Sequence, residues 1–228
     1  MATYLDMPSL DRGKGRTQPT LTDYTPLLPA ETTGRSTDWQ TALPVLHGLR
    51  ASMRELRMSD AASLLAALSS EEVARFIAPP PATVAEFERF IEWADAERVK
   101  GTYVCFAVVP SGSDTAVGIF QLRRLDAAET AEWGFAIGPE FWGTGMFADC
   151  AELTVNFAFN AIGINRLEAR AVTANGRGNG ALRKVGARQE GVLRQSFRCK
   201  GQLVDQNLWS ILRDDWRRAR NISTTVVH

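Results

Sequence analysis

Among the 228 residues there are only three cysteines and two histidines. Cys105, Cys150 and Cys199 have no CxxC spacing and leave one thiol over, so neither a disulfide framework nor a zinc site is indicated. No metal ligands are assigned, and a reducing compartment is expected. His47 and His228 lie far apart in the chain, and neither stands near a cysteine as a covalent acyl-transfer mechanism would need. Net charge is also absent, because 26 basic residues balance 26 acidic ones. The average field therefore offers nucleic acid no long-range attraction. The most visible basic cluster, Arg213, Arg217, Arg218 and Arg220, is broken by Asp214 and Asp215 and is expected to be a solvated face. No apolar run reaches the roughly 18 residues that suggest a membrane span, and Asp6 and Asp11 precede any sustained apolar stretch, unlike a signal peptide. We expect a cytoplasmic protein with neither a nucleic-acid nor a membrane partner.

What is present divides the chain unevenly. Residues 1–44 hold five of the ten prolines and many Thr, Ser and Gly residues, which cannot present a regular apolar stripe. We expect an extended arm there, a folded domain over 45–220, and a short tail over 221–228. Within the domain, a strand is expected near Leu49–Leu56 and a helix start at Ser59 and Asp60. Thr83-Val-Ala-Glu86 has the spacing of a capping box, with Phe87, Phe90, Ile91 and Ala94 on one face of the helix that follows. Three successive prolines in FIAPPPA must leave the helical register. YVCFAVV, AVGIFQLRRL and Ala131–Ile137 follow as strands. A long helix is expected from about Gly145 to Ala161, ended by Gly163, then a strand in NRLEARAV and a short helix ending at Gly186. VLRQSFRCK and LVDQNLWSIL, separated by Gly201-Gln202, suit a hairpin. Hairpin-linked strands between helices point to a mixed α+β or α/β sheet and not to a bundle or sandwich.

The segment EWGFAIGPEFWGTGMF passes from strand through a glycine loop into a helix. The first amides of a helix lack internal partners and sit at the positive end of its dipole, so the position welcomes an anion. Gly143 and Gly145 allow a sharp turn and close backbone approach. No Lys-Ser or Lys-Thr follows, which excludes a nucleoside-triphosphate P-loop, and GxG without the third glycine weakens a dinucleotide reading. From spacing alone, phosphate binding and a tight connection both stay open.

The order of the pieces adds to this. LRASMRELRMSDAASL, AEWGFAIGPEFWGTGMFA, NRLEARAV, NGRGNGALRKVGARQEGVLR and KGQLVDQNLWSIL together resemble the GNAT acyl-coenzyme A N-acyltransferases, over roughly residues 45–217. More narrowly, they are similar to the branch of ribosomal-protein alanine N-acetyltransferases, the RimJ/RimL-like group. The resemblance implies a fold with two splayed central strands and acetyl-coenzyme A as cofactor, with no metal. It implies pantetheine along Phe135, Ala136 and Ile137, and diphosphate at the amides of Trp142, Gly143, Thr144, Gly145 and Met146, with Phe147 beginning the helix. Asn175 matches the family's cofactor-contacting asparagine, while Gly178 stands where a serine is usual and Glu140 where glutamine or arginine is usual.

Acetyl transfer needs an uncharged amine, a polarised carbonyl and a proton for the leaving thiolate. The resemblance makes Glu132 the candidate base. Ser196 is the candidate acid, because the sequence contains only Tyr4, Tyr24 and Tyr103 and none after the loop. The acceptor class stays open between a small-molecule amine and a peptide or protein N-terminus. The arm and the hairpin offer routes to a homodimer, and a non-catalytic acyl-coenzyme-A-binding module is the alternative function.

Overall fold

The computed structural model describes residues 38–125 and 129–225. Residues 1–37 of the expected arm, with Tyr4 and Tyr24, and the end of the expected tail, with His228, lie outside the described residues. The chain runs β1 (Leu46–His47), β2 (Ala51–Glu55), α1 (Ala61–Leu68), α2 (Glu71–Ala74), α3 (Val84–Val99), β3 (Tyr103–Pro110), β4 (Gly118–Arg124) and β5 (Thr130–Ile137). It continues through α4 (Met146–Phe157), β6 (Arg166–Val172), α5 (Gly176–Lys184), β7 (Arg188–Cys199), β8 (Gln202–Leu212) and α6 (Arg213–Thr225). The strands make one sheet in the order β1-β2-β3-β4-β5-β6-β8-β7. Among the described residues only β5 and β6 run parallel.

Helices cover both faces, and the strand sequences say why. Alternate β3 residues serve different cores: Val104, Phe106 and Val108 pack with Cys150, Ala151 and Val155 of α4. Tyr103, Cys105 and Ala107 pack with Leu64 of α1 and Phe87 and Phe90 of α3. A strand hidden on both sides must be apolar at every position, hence the unbroken run YVCFAVV. Each fully buried phenylalanine adds about 1.5–3 kcal/mol of transfer free energy. The α3 cap forms as the sequence suggests, with the Glu86 N–H donating to Thr83 Oγ1 at 3.2 Å. The reciprocal bond is displaced by one residue, because the Glu86 carboxylate accepts from the Ala82 N–H at 2.6 Å.

Four features depart from the sequence reading. The extra helix α2 sits before the proline bend, where Ser70 Oγ accepts from the Val73 N–H at 3.3 Å. The α-helical part of α4 stops at Phe157 and a π turn carries the chain over Ala158–Ile162. There Gly163, at φ 84°, and Ile164 both turn their N–H groups to Ala158 O, which closes the helix and buries Ile164. The hairpin turns at Lys200 and Gly201, both with positive φ, one residue earlier than expected. Finally, the chain does not become a tail at 221, since α6 runs to Thr225. Trp216 anchors this helix, buried in the core with its indole N–H donating to Asn156 Oδ1 at 2.8 Å. Trp39 and Leu43 are likewise buried, so the chain is docked on the body before residue 45.

Candidate active site

β5 and β6 share register only from Thr130 opposite Arg166 to Glu132 opposite Glu168. Beyond that rung β5 stays paired with β4 to Ile137, while β6 pairs with β8 to Val172. A gap therefore opens between the two parallel strands after Glu132. Hydrogen-bonded and non-bonded pairs alternate along an antiparallel ladder. Leu125 N–H donates to Thr130 O and Gly138 N–H to Val117 O, each at 2.9 Å, so the even-numbered residues of β5 bond to β4. Trp133, Phe135 and Ile137 consequently turn their backbone groups into the gap. This edge suits an extended ligand that joins the sheet as a strand does.

The side chains of Phe135 and Ile137 are buried in one core, so these two positions meet a ligand through backbone alone, whereas Ala136, expected beside them, buries its side chain in the other core and gives its backbone to β4. Phe147, expected both to begin the helix and to border the cofactor, is a core residue, its ring 4.5 Å from that of Phe135. Met146 is buried beside it.

The glycine loop closes the gap's far end. Gly143 and Gly145 have φ of 78° and 88°, values that favour glycine. Not every amide of the loop is available. The Trp142 N–H donates to Pro139 O at 3.1 Å within a 3-10 turn. The Met146 N–H lies 3.3 Å from Thr144 Oγ1, whose own hydroxyl donates to Phe141 O at 2.8 Å. Among the described residues, the amides of Gly143, Thr144 and Gly145 have no acceptor. Trp142 contributes its ring instead: the indole N–H donates to Ile137 O at 2.8 Å, and the Arg177 guanidinium stands 4.0 Å over its face. The Glu140 carboxylate lies against Gly138, Oε2 being 2.9 Å from where a Cβ on that glycine would stand.

Asn175 caps α5, its Oδ1 accepting from the Gly178 N–H at 2.9 Å. Gly178 therefore has no amide to offer a ligand. A side chain there would also collide with the cap, since a Cβ would fall 2.6 Å from Asn175 Nδ2. Between α2, the loop and α5 lies a cavity of about 200 Å³ lined by Val73, Phe76, Trp142, Asn175 and Arg177 among others.

Glu132 stands at the apex of the gap, 5% exposed. Its Oε2 accepts from Arg123 Nη2 at 2.5 Å. Its Oε1 is buried without a hydrogen bond, 3.8 Å from Arg170 Nε. Ladder register aligns Tyr103, Arg123, Glu132, Glu168, Ser210 and Arg188 across six strands, one polar row with Glu132 near its middle. Ser196 is not brought to this apex. It sits in a β7 bulge, beyond β8, with its Oγ 3.0 Å from both Leu193 O and Gln206 Oε1.

Cys105 and Cys150 are buried and take no part in the site. Burial pushes the Cys105 thiol well above its ordinary range and that of Cys150 up to about 12. No cluster of potential metal ligands occurs among the described residues, and no helix among them is long and apolar enough to cross a membrane.

Sequence reasoning missed Arg170, Arg177 and Arg50. Arg170 was visible as an outward position of NRLEARAV, and Arg177 as a neighbour of Asn175. Arg50 carried no signal at all. Its Nε comes within 2.8 Å of where a Cβ on Gly145 would stand, a contact made only by folding. The Asp149 carboxylate in the first turn of α4 fixes that approach. It accepts from the amides of Leu49 at 3.1 Å, Arg50 at 2.8 Å and Ala51 at 3.3 Å.

The acetyltransferase (GNAT) domain model matches residues 50–188. A Bacillus licheniformis protein named uncharacterized N-acetyltransferase p20 is 24% identical over 176 residues, 76% of this chain and 99% of that protein. The fold is similar to that of a GCN5-related N-acetyltransferase from Brucella melitensis, with TM-score 0.67 and 26% identity over 78% of this chain and 82% of that one. It is also similar to Mycobacterium smegmatis RimJ in complex with CoA-disulfide, with TM-score 0.70 and 21% identity over 78% and 90% of the two chains.

Proposed function

Because the chain belongs to the GNAT acetyltransferase family, whose model spans residues 50–188, we propose that it acetylates a primary amine, with Glu132 receiving the amine's proton. The observation that carries this reading is the coincidence of three features at one gap. An open strand edge and a buried carboxylate with one unbonded oxygen lie along β5, and a loop of unpartnered amides follows it.

These residues suit acetyl-coenzyme A without any metal, and acetyl-coenzyme A supplies the acyl group as an activated thioester. The backbone of Trp133 and Phe135, with the N–H of Ile137, holds the pantetheine arm as an added strand, and the amides of Gly143, Thr144 and Gly145 meet the diphosphate. Backbone N–H on this edge, close to the apex, polarises the reacting carbonyl.

In this reading the acceptor approaches along the polar row that contains Glu132. An alkylammonium with a pKa of ~10 must lose a proton at a cost of about 4 kcal/mol at neutral pH, and an α-ammonium near ~8 at a cost of about 1. Arg123 holds Oε2 of Glu132 and fixes the carboxylate. Oε1 keeps an unused lone pair, which an amine or a bridging water reaches once Arg170 draws aside. The α-amine of a peptide or protein fits this arrangement best, as the lesser deprotonation task. With Ser196 remote, water protonates the leaving thiolate, whose ordinary pKa is about 8.5.

Release of free thiol from acetyl-coenzyme A, followed over a panel of N-terminal peptides and small amines with mass identification of the product, tests the proposal. Acetylation of α-amines ahead of lysine side chains is the expected result. Tight cofactor binding with no thiol release from any amine would instead favour a non-catalytic acyl-coenzyme-A-binding module.

A further inference from the structure

We infer that Arg50 and Arg177, from two elements outside the glycine loop, supply the positive charge for the coenzyme A diphosphate that the loop itself lacks. The inference rests on the cofactor reading above. The loop places an acidic residue, Glu140, where a basic or amide side chain would ordinarily stand, and it contains no lysine or arginine from Gly138 to Phe147. A diphosphate bound there meets amides and a helix dipole but no formal positive charge from the loop.

The fold brings two guanidinium groups to the loop. Arg50 comes from the β1–β2 turn, with Nε, Cδ and Cζ at 2.8, 3.3 and 3.4 Å from where a Cβ on Gly145 would stand. Among the described residues its guanidinium has neither an ion pair nor a hydrogen bond, although it is exposed beside the N-terminus of a 12-residue helix. Its position is imposed by the rest of the turn. The Asp149 carboxylate grips three successive amides, and Gly48 leaves no space for even a Cβ, which would fall 2.3 Å from Asp149 Oδ2. Arg177 comes from the first turn of α5 and lies flat over the Trp142 ring at 4.0 Å, with Glu72 at 3.5 Å. Stacking on Trp142 holds one face of this group, and apart from Nη1, which faces Glu72, its edge is left for phosphate oxygens, the geometry in which arginine recognises them.

The two groups thus flank the unpartnered amides of Gly143, Thr144 and Gly145. Asp149 and Trp142 act through them as positioning residues. Departure from the usual loop composition at Glu140 is offset by charge from elsewhere in the chain, so the loop sequence alone understates affinity for coenzyme A.

The test compares binding of acetyl-coenzyme A, dephospho-coenzyme A and acetyl-pantetheine to the full-length protein and its Arg50→Gln, Arg177→Gln and Arg50→Lys variants. Titration calorimetry at low and moderate salt gives the affinities, and circular dichroism checks folding. Arg89→Gln, on the exposed side of α3, is the control. Each glutamine variant is expected to bind acetyl-coenzyme A about tenfold more weakly, the scale of one exposed charge-assisted hydrogen bond. The loss should shrink with added salt, persist with dephospho-coenzyme A and vanish with acetyl-pantetheine, which has no phosphate. Arg50→Lys should restore much of the affinity. Folded glutamine variants that bind acetyl-coenzyme A as the unaltered protein does, or an equal loss with acetyl-pantetheine, would overturn the inference. Failure of the unaltered protein to bind coenzyme A would remove the cofactor reading together with it.

Discussion

Glu132 stands in register with Glu168, and that pair is the last rung that β5 and β6 share. One strand stays with β4 and the other with β8, so the carboxylate is fixed where the backbone edge of β5 first becomes available to a ligand. The proposed base and the proposed thioester cleft thereby share a single strand, with little freedom between them. Arg123 and Arg170, at 2.5 and 3.8 Å, hold the carboxylate on two sides.

Glu132→Gln should lower kcat by about 10²–10³-fold while leaving acetyl-coenzyme A affinity unchanged, since a general base contributes on that scale. Steady-state kinetics with a fixed amine and calorimetric binding of the cofactor separate the two quantities. Unchanged turnover would reject the assignment of Glu132 as base.

Gly143→Ala and Gly145→Ala should differ. Both force alanine into a left-handed conformation, at about 1 kcal/mol each. At Gly143 nothing lies within 4 Å of the added Cβ, whereas at Gly145 it displaces the Arg50 side chain. Chemical denaturation should find similar losses of stability, and calorimetry a larger loss of cofactor affinity for Gly145→Ala. That extra loss should disappear in an Arg50→Gln background, because neighbouring residues are not additive.

Asp149→Ala removes the acceptor for three amides at the β1–β2 turn. Charge-assisted bonds of this kind, together with a carboxylate in the first turn of a helix, account for about 3 kcal/mol. Urea denaturation should show a loss of that order, and the KM for acetyl-coenzyme A should rise because Arg50 is no longer held. An unchanged denaturation midpoint would contradict the anchoring role.

Glu190 gives the fold an acid-sensitive element. Hydrogen bonds from Arg166 and Ser210 hold its carboxyl down at about 2 from an ordinary value of 4.5. The folded state therefore binds this proton less readily than the unfolded chain does. Its contribution to stability is present above about pH 4.5 and is lost as pH falls toward 2. Unfolding free energies of Glu190→Gln should depend less steeply on pH across that window. Partial exposure of Glu190 keeps the effect small. An identical slope in the variant would show that other carboxylates carry the acid limb.

The sequence by itself determined the elements that a local rule governs. Runs such as YVCFAVV require strands buried on both faces, Thr83 and Glu86 require a helix start, and Gly163 requires an end. The glycine spacing at Gly143 and Gly145 marked the loop, and the order of motifs marked the family. Even there, short-range competition shifted details: the Trp142 amide entered a 3-10 turn, and the Gly178 amide went to the Asn175 cap.

Only the tertiary structure decided which residues meet across long stretches of chain. Where β5 leaves β6 depends on both partners of both strands, which no local pattern encodes. The pairing of Arg123 and Arg170 with Glu132 follows from that register, and so does the exclusion of Ser196, on β7 with two strands between it and β5. Arg50 reaches Gly145 because Asp149, in the helix after the loop, holds a turn from the start of the domain. Backbone propensity acts over a few residues, while charge and packing act between whatever the sheet order brings together.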